Sequence, residues 1–205
     1  MDLSGSEVCL VLSCKRPYYQ ERLRNMKGQY EIIGQHGFKV LFLYGDSEIQ
    51  APEIRAEEWG ECLYVPVEDT YYNLTYKMLH AYRFLSEKGV KGVLKIDDDT
   101  VIKNHDIFKT NFRWYDYAGA DCGRLWPETI QLKNISYTVT EVIFYFGGPF
   151  YWLSLKGLEQ VVRTGYKYPA EDLNTGYAIN LDESMLVGNM EFKKKGDVCW
   201  NNETE

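Results

Sequence analysis

Three consecutive aspartates, Asp97, Asp98 and Asp99, are the residues whose types and spacing most clearly suggest chemistry. They end a short, mainly apolar run at residues 90–96, which is typical of a buried strand in an α/β sheet. Adjacent carboxylates repel one another, and burial makes that repulsion costly unless a cation or strong donors neutralise it. Mg2+ or Mn2+ meets this need, because both prefer oxygen ligands and keep positions open for phosphate oxygens. The triplet therefore predicts a metal site, with a solvated acidic turn as the alternative.

Alternating strands and helices are predicted before the triplet. Apolar runs predict strands at residues 8–13, 38–44, 62–67 and 90–96. Apolar stripes predict one helix from residue 17 to about 34 and another over 74–85. An acidic, solvated loop is expected at residues 46–58. This order implies right-handed crossovers and a largely parallel sheet, whose ligands bind beyond the carboxyl ends of the strands. Residues 13–16 and the triplet would share that crevice.

The second half of the chain has a different pattern. Strands are predicted at residues 115–120, 136–146 and 150–153, a helix at 156–164, and a short turn with an acidic start at 181–188. After residue 192 we expect little regular structure. No repeat or linker interrupts the 205 residues, so residues 1–205 are expected to form a single domain.

Composition excludes several classes of protein. A net charge of -7 argues against a nucleic-acid partner. No apolar run approaches the ~20 residues of a membrane span, so a cytoplasmic, soluble chain is expected unless a leader and anchor have been removed. Five cysteines lie scattered without the spacing of a zinc site, which predicts mostly free thiols.

Two motifs in tandem resemble the β1,3-galactosyltransferase and Fringe family of glycosyltransferases. The family pattern D-T-Y-x-N-L-T-x-K is matched by Asp69 to Lys77, and its later L-K-x-D-D-D by Leu94 to Asp99. Weaker similarities follow in the family's order at residues 21–30, 40–48, 146–148 and 153–154, and the resemblance runs from about residue 8 to 188.

The resemblance implies the GT-A fold, a mixed and mostly parallel central sheet flanked by helices. It also implies a UDP-sugar donor, Mn2+ (or Mg2+) as cofactor, inversion at the anomeric carbon and a glycan or glycoprotein acceptor. The nucleotide-sugar half would span about residues 1–103 and the acceptor and catalytic half about 104–205. An excised catalytic domain of this family would act in the Golgi lumen.

Carried over residue by residue, the resemblance implies a donor site at the strand ends. Asp99 would ligate the metal between the donor phosphates, Asp97 would lie near the nucleotide and the metal, and Asp98 would support both. Contacts to the nucleotide-sugar are expected from Ser13, Arg16 and Lys77, although surface cations are the alternative for the last two. With no late histidine, Asp197 or water would complete the metal coordination.

An inverting transfer also needs a base for the acceptor hydroxyl. The family carries it in an E-D-V-x-V-G segment, and residues 181–188 are the similar stretch, which leaves Asp182 and Glu183 open with a preference for Glu183. Expected acceptor contacts are Gly147, Gly148, Trp126 and Trp152, because glycines allow close approach and aromatic rings stack on sugars.

Two other classes remain open. The triplet also fits the strand-end motif of haloacid-dehalogenase-like phosphatases, in which Asp97 would be the phosphorylated nucleophile. Such motifs usually open their domain, whereas strands are predicted before this one. A non-catalytic module that binds a sugar or Ca2+ is the third class.

Overall fold

A computed structural model describes residues 2–120, 122–132, 134–190 and 198–200. The α-helices are α1 (Pro17–Asn25), α2 (Lys27–Gln35), α3 (Leu74–Glu87), α4 (Leu155–Thr164) and α5 (Glu171–Asn180). In the first half of the chain, helices alternate with strands. Short 3-10 helices lie at Tyr71–Asn73, His105–Lys109 and Asn111–Trp114.

The strands of the main sheet come from both halves of the chain. They are β1 (Glu7–Leu12), β2 (Phe38–Gly45), β3 (Glu53–Glu57), β4 (Gly60–Val65), β5 (Gly92–Asp97), β7 (Tyr117–Gly119), β12 (Phe150–Ser154) and β13 (Val187–Asn189). The remaining strands form short two-stranded ladders and are β6 (Thr100–Ile102), β8 (Cys122–Leu125), β9 (Glu128–Leu132), β10 (Ile135–Val139), β11 (Ile143–Phe146) and β14 (Val198–Trp200).

The main sheet has eight strands in the order β13-β7-β12-β5-β1-β2-β4-β3. Its pairs β5/β1, β1/β2, β2/β4 and β13/β7 are parallel, whereas β12 and β3 run antiparallel to their neighbours. The predicted mixed, mostly parallel sheet is therefore confirmed. The two predicted halves share this sheet, and the domain boundaries stay a prediction.

Helices cover both faces of the sheet. On one face Met78 and Tyr82 of α3 pack with Leu158 of α4 and Ile179 of α5. On the other face Leu23 of α1 and Ile33 of α2 pack against aromatic residues of the sheet. Both faces of β1 and β5 are thus buried, which explains why these strands read as almost unbroken apolar runs.

Several local predictions need correction. The helix predicted from residue 17 onward is two helices that meet at Met26, whose backbone (φ -97, ψ 8) leaves the helical region. The strand predicted at 136–146 is β10 and β11, which pair with different partners, β9 and β8. The loop predicted at 46–58 contains β3, which adds an edge to the sheet.

Helix α5 and strand β14 are among the elements that the sequence patterns did not predict. Helix α5 occupies residues that the sequence patterns left unassigned. Strand β14 pairs antiparallel with β6 in the segment expected to lack regular structure. No helix within the described residues combines the length and apolar character needed to cross a membrane.

Candidate active site

The carboxyl ends of β1 and β5 bring the first loop and the aspartate triplet together. In the parallel register Leu12 is opposite Asp97, and the Asp98 N–H donates to the Leu12 carbonyl at 3.1 Å. Ser13 Oγ donates to Asp98 Oδ2 at 2.6 Å, and Arg22 from α1 donates to Asp98 Oδ1 at 2.9 Å. Burial raises the pKa of Asp98 to about 6, while Ser13 and Arg22 oppose that shift. Asp98 therefore faces inward and ties three elements together.

Asp97 and Asp99 are the more accessible members of the triplet, with side chains 28% and 30% exposed. Asp99 Oδ1 is nevertheless buried and has no hydrogen-bond partner among the described residues, and its other oxygen lies 3.4 Å from Arg22. Burial, followed by the charge of Asp97, raises the pKa of Asp99.

These two carboxylates fit a hard divalent cation. The described residues contain no group of three or more histidine, cysteine or acidic side chains able to hold a metal ion. Mg2+ and similar ions, however, are commonly held by one or two carboxylates together with substrate phosphates. The unpartnered Asp99 oxygen is the kind of ligand that such a site needs. Asp197 falls outside the described residues.

Lys77 anchors the loop that follows β1. Its side chain is only 2% exposed, and Nζ donates to the Ser13 carbonyl at 2.7 Å and to Asp69 Oδ1 at 2.6 Å. The other Asp69 oxygen accepts from the Lys15 N–H at 3.0 Å. Both ends of the D-T-Y-x-N-L-T-x-K motif thus hold the backbone of residues 13–15, and Lys77 is not a surface cation. Arg16 is exposed at the start of α1.

Lys95 joins the triplet to helix α5. This lysine is 1% exposed, and its Nζ donates to Asp97 Oδ1 and to Glu171 Oε1, both at 2.7 Å, and also to the Gly148 carbonyl. Burial alone would lower the pKa of Lys95, but Asp97 and Glu171 raise it above its usual value, so the amine stays charged. Burial also raises the pKa of Glu171 to about 7 although Lys95 opposes the shift.

Glu171 and Asp172, in the first turn of α5, differ in how their oxygens are used. Glu171 Oε1 accepts from Lys95 and Oε2 accepts from Tyr151 Oη at 2.7 Å, so both oxygens are occupied. Asp172 is partly exposed; Oδ2 accepts from the Gly148 N–H at 3.2 Å and Oδ1 from the Leu173 N–H at 2.8 Å. Burial raises the pKa of Asp172, with these two N–H donors and Lys95 opposing.

The predicted pair Asp182 and Glu183 lies elsewhere, in an exposed turn after α5. Asp182 Oδ1 accepts from the Ser184 N–H at 3.0 Å and from Ser184 Oγ at 2.6 Å, which lowers the pKa of Asp182. Both acids line a surface cavity of about 350 Å³ together with Phe144, Met185 and other residues. The hydrogen bonds of the described residues connect Glu171 and Asp172 to the triplet through Lys95 and Gly148, whereas the side-chain hydrogen bonds of Asp182 stay within its own turn.

The predicted acceptor residues are distributed unevenly. Gly148 lies in the site: a Cβ added at Gly148 would come within 3.2 Å of Glu171 Oε1. Gly147 precedes it in the chain. Trp152 is 2% exposed in the core, and its Nε1 donates to the Tyr115 carbonyl at 3.1 Å. This burial leaves Trp152 no face for a sugar and contradicts its predicted contact. Trp126 is 57% exposed beneath the guanidinium of Arg124, 4.1 Å away.

Comparison with known proteins finds similarity to galactosyltransferases. The family model described as "Galactosyltransferase" matches residues 22–114, which include Lys77 and the triplet. A curated relative, beta-1,3-galactosyltransferase bre-2 of Caenorhabditis elegans, is 24% identical over 94% of this chain, and the chain spans 60% of the length of that relative. A Drosophila galactosyltransferase 7 mutant, solved with manganese, UDP-Gal and xylobiose, superimposes with a TM-score of 0.52 at 13% identity, over 94% of this chain and 68% of that one.

The resemblance to the galactosyltransferases is confirmed, and the fold is GT-A. Together the family match, the curated relative and the fold support a glycosyltransferase.

The galactosyltransferase comparison also indicates how Glu171 and Asp172 could have been found. The family's E-D-V-x-V-G segment has the spacing E-D-x-x-x-G, and residues 171–176 read E-D-L-N-T-G. Two acids in succession are also typical of the first turn of a helix. Residues 181–188 match that segment at Val187-Gly188, where Glu183 falls at the position of the family's Glu but Ser184 at that of its Asp.

Proposed function

We propose that the protein is a metal-dependent, inverting glycosyltransferase that moves a sugar from a UDP-sugar to a hydroxyl of a glycan or glycoconjugate and forms a β-linkage. The observation that carries the proposal is the buried Lys95, whose amine joins Asp97 of the triplet to Glu171 and Gly148. This ion cluster fixes the base candidate Asp172 at the same edge of the sheet as the donor carboxylates. A donor site and a proton acceptor on one crevice are the parts that an inverting transfer requires.

On the donor side, Asp99 and Asp97 would hold Mn2+ or Mg2+ against the diphosphate. When bound, such a cation neutralises charge that develops on the leaving diphosphate. Asp98 holds Ser13 and Arg22, so its role is to position the loop and helix α1 around the donor. Lys77 acts in the same way on the backbone of residues 13–15.

On the acceptor side, Asp172 replaces Asp182 and Glu183 as the proposed base. Its carboxylate takes the proton from the acceptor hydroxyl while that oxygen attacks the anomeric carbon. The bond from this carbon to the UDP oxygen breaks on the opposite face, and its electron pair leaves with UDP. Glu171 is a positioning residue, because Lys95 and Tyr151 already occupy both of its oxygens.

The two other classes have less support. In a phosphatase the motif that contains Asp97 would usually open the domain, yet three parallel strands precede Asp97 in the chain. A non-catalytic module would not require a partly exposed carboxylate held by Gly148 beside the buried ion cluster.

Calorimetric titration with UDP, with and without Mn2+, tests the donor site. We expect Mn2+-dependent binding that weakens at least tenfold, about 1.4 kcal/mol, in Asp99→Asn. The control Asp182→Asn makes the same change at an exposed acid and should bind UDP like the wild type. Absence of UDP binding under every condition would sink the proposal.

Two further outcomes separate the other classes. Covalent phosphorylation of Asp97 would establish the phosphatase instead. Metal-dependent UDP binding with no turnover of any UDP-sugar, by transfer or by hydrolysis, would indicate a binding module.

A further inference from the structure

Three Asn-x-Ser/Thr triplets occur in the chain, and they start at Asn73, Asn134 and Asn202. This triplet is the acceptor for N-linked oligosaccharides, which are bulky and therefore need a position on the surface. Asn202 lies outside the described residues. The other two triplets lie in contrasting structures, so the fold decides which of them a modifying enzyme can reach.

Asn134 is exposed in the turn that joins β9 to β10. The next residue, Ile135, pairs with Leu132, so the ladder closes over a two-residue turn. Asparagine is favoured in turns of this kind. Ser136, which completes the triplet, is exposed as well. Both side chains that take part in recognition of the triplet are therefore accessible in the folded protein.

The hairpin of β9 and β10 presents a polar face to solvent. On this face Gln131 Nε2 donates to Ser136 Oγ at 2.9 Å, and the hydroxyls of Thr129 and Thr138 lie 3.1 Å apart. The alternate residues pack in an apolar cluster with Leu173 of α5, and they are Ile130, Tyr137 and Val139. An oligosaccharide on the turn would therefore extend into solvent without displacing any residue of this cluster.

Asn73 has the opposite environment. It ends the 3-10 helix that precedes α3, and its Nδ2 donates to the Glu68 carbonyl at 3.2 Å. Thr75, which completes this triplet, is 1% exposed, and its Oγ1 lies 3.0 and 2.7 Å from the carbonyl oxygens of Tyr168 and Pro169. A modifying enzyme could reach this triplet only after the start of α3 had unfolded locally.

Local unfolding at Asn73 would also release the loop after β1. Lys77, one turn further along α3, donates to the Ser13 carbonyl and to Asp69. The segment that carries the Asn73 triplet is therefore part of the structure that shapes the strand-end crevice, whereas the Asn134 hairpin is not.

We propose that Asn134 is an acceptor for an N-linked oligosaccharide and that Asn73 is not modified in the folded chain. The donor is an oligosaccharide joined through a diphosphate to a polyisoprenyl lipid, and an oligosaccharyltransferase carries out the transfer. A bond forms between Asn134 Nδ2 and the anomeric carbon of the donor. The bond from this carbon to the diphosphate oxygen breaks, its electron pair leaves with the lipid diphosphate, and the amide proton passes to solvent.

Such transferases act in the lumen of the secretory pathway, which leads to the Golgi lumen expected for catalytic domains of this family. The assignment of Asn134 does not depend on the proposed function, because it uses no residue of the strand-end crevice.

Incubation of the folded, full chain with a purified single-subunit oligosaccharyltransferase and a lipid-diphosphate oligosaccharide tests the assignment. Intact mass counts the added glycans, and peptide mapping locates each one, so modification of Asn202 is measured separately. We expect the occupancy of Asn134 to exceed that of Asn73 about tenfold or more, because Asn73 becomes accessible only by local unfolding. Asn134→Gln should remove this glycan, and so should Ser136→Ala, which keeps the asparagine.

Synthetic peptides of residues 70–78 and 131–139 are the matched controls, because they carry the two triplets without the fold. Both peptides should be modified. An unmodified Asn134 in the folded chain would overturn the assignment, and so would equal occupancy of Asn73 and Asn134 in a chain that still unfolds cooperatively in urea. UDP takes no part in these measurements, so a failure of the donor site would count against the proposed function alone.

Discussion

Two acidic pairs lie within a short stretch of the chain, and their surroundings are opposite. Glu171 and Asp172 open helix α5, where Glu171 is buried against Lys95 and Tyr151 and Asp172 accepts from the Gly148 N–H. Asp182 and Glu183 follow the same helix in an exposed turn. The comparison teaches that two adjacent acids are better candidates for a catalytic pair where another element of the fold holds them.

The pairs also differ in electrostatics. The first turn of a helix presents free N–H groups and a partial positive charge, which favour a carboxylate even where burial opposes its charge. At Asp172 the N–H donors favour the charged carboxylate and burial opposes it, and the net result is a pKa above its usual value. Asp182 is stabilised as an anion mainly by Ser184, with smaller contributions from the charges of Lys156 and Arg163, and has a lowered pKa. A base that works near neutral pH gains from the first environment.

The largest effect should come from removing the carboxylate of Asp172. Asp172→Asn should lower UDP-sugar hydrolysis or transfer by about 10²–10⁴-fold, the range that a positioned general base contributes. Asp182→Asn and Glu183→Gln should stay within about twofold of wild type. Initial rates at saturating UDP-sugar measure all three. If Glu183→Gln lost activity and Asp172→Asn kept it, the assignment would be reversed.

A matched pair of lysine substitutions compares the anchoring of the two regions. Lys95→Met leaves the buried Glu171 and the partly exposed Asp97 without their cation and should lower the free energy of unfolding by about 3–5 kcal/mol. Lys156→Met removes bonds to Asp116 and to the Ser184 carbonyl, but the lysine is 47% exposed, so the loss should be under about 1 kcal/mol. Urea denaturation at pH 7 measures both, and equal losses would mean that Lys95 is not the anchor.

Sequence patterns predicted the strands that carry the triplet well, for a physical reason. β1 and β5 are buried on both faces, so their residues are selected for apolar character and the runs are easy to recognise. The triplet stands out because three acids at the end of such a run need compensation. The sequence could not show that Asp98 faces inward to Ser13 and Arg22, because the partners come from distant elements.

Helix α5 escaped prediction because its pattern is not amphipathic. Leu173, Asn174, Thr175 and Gly176 are all buried, so polar and apolar positions face the interior alike. Asparagine, threonine and glycine are also weak helix formers. The burial of Trp152 likewise could not be predicted from the neighbouring residues in the sequence, because aromatic side chains occur both in cores and in binding sites.

The smallest expected effect is on the pKa values of Asp172 and Asp182, which should shift in opposite directions. These shifts are the most direct measure of the contrast between the two acidic pairs. NMR titration of the carboxyl carbons should give Asp172 a pKa above the ordinary value of about 3.9 and Asp182 a pKa below it. A raised pKa in the folded state stabilises the fold below the unfolded pKa, and that contribution is lost as pH rises through the folded pKa. A lowered pKa acts in the reverse sense, with stability present above the unfolded pKa and lost as pH falls through the folded one. Ser184→Ala should bring the pKa of Asp182 back toward about 3.9 without changing the pKa of Asp172. Equal pKa values in the wild type would remove the electrostatic distinction between the two pairs.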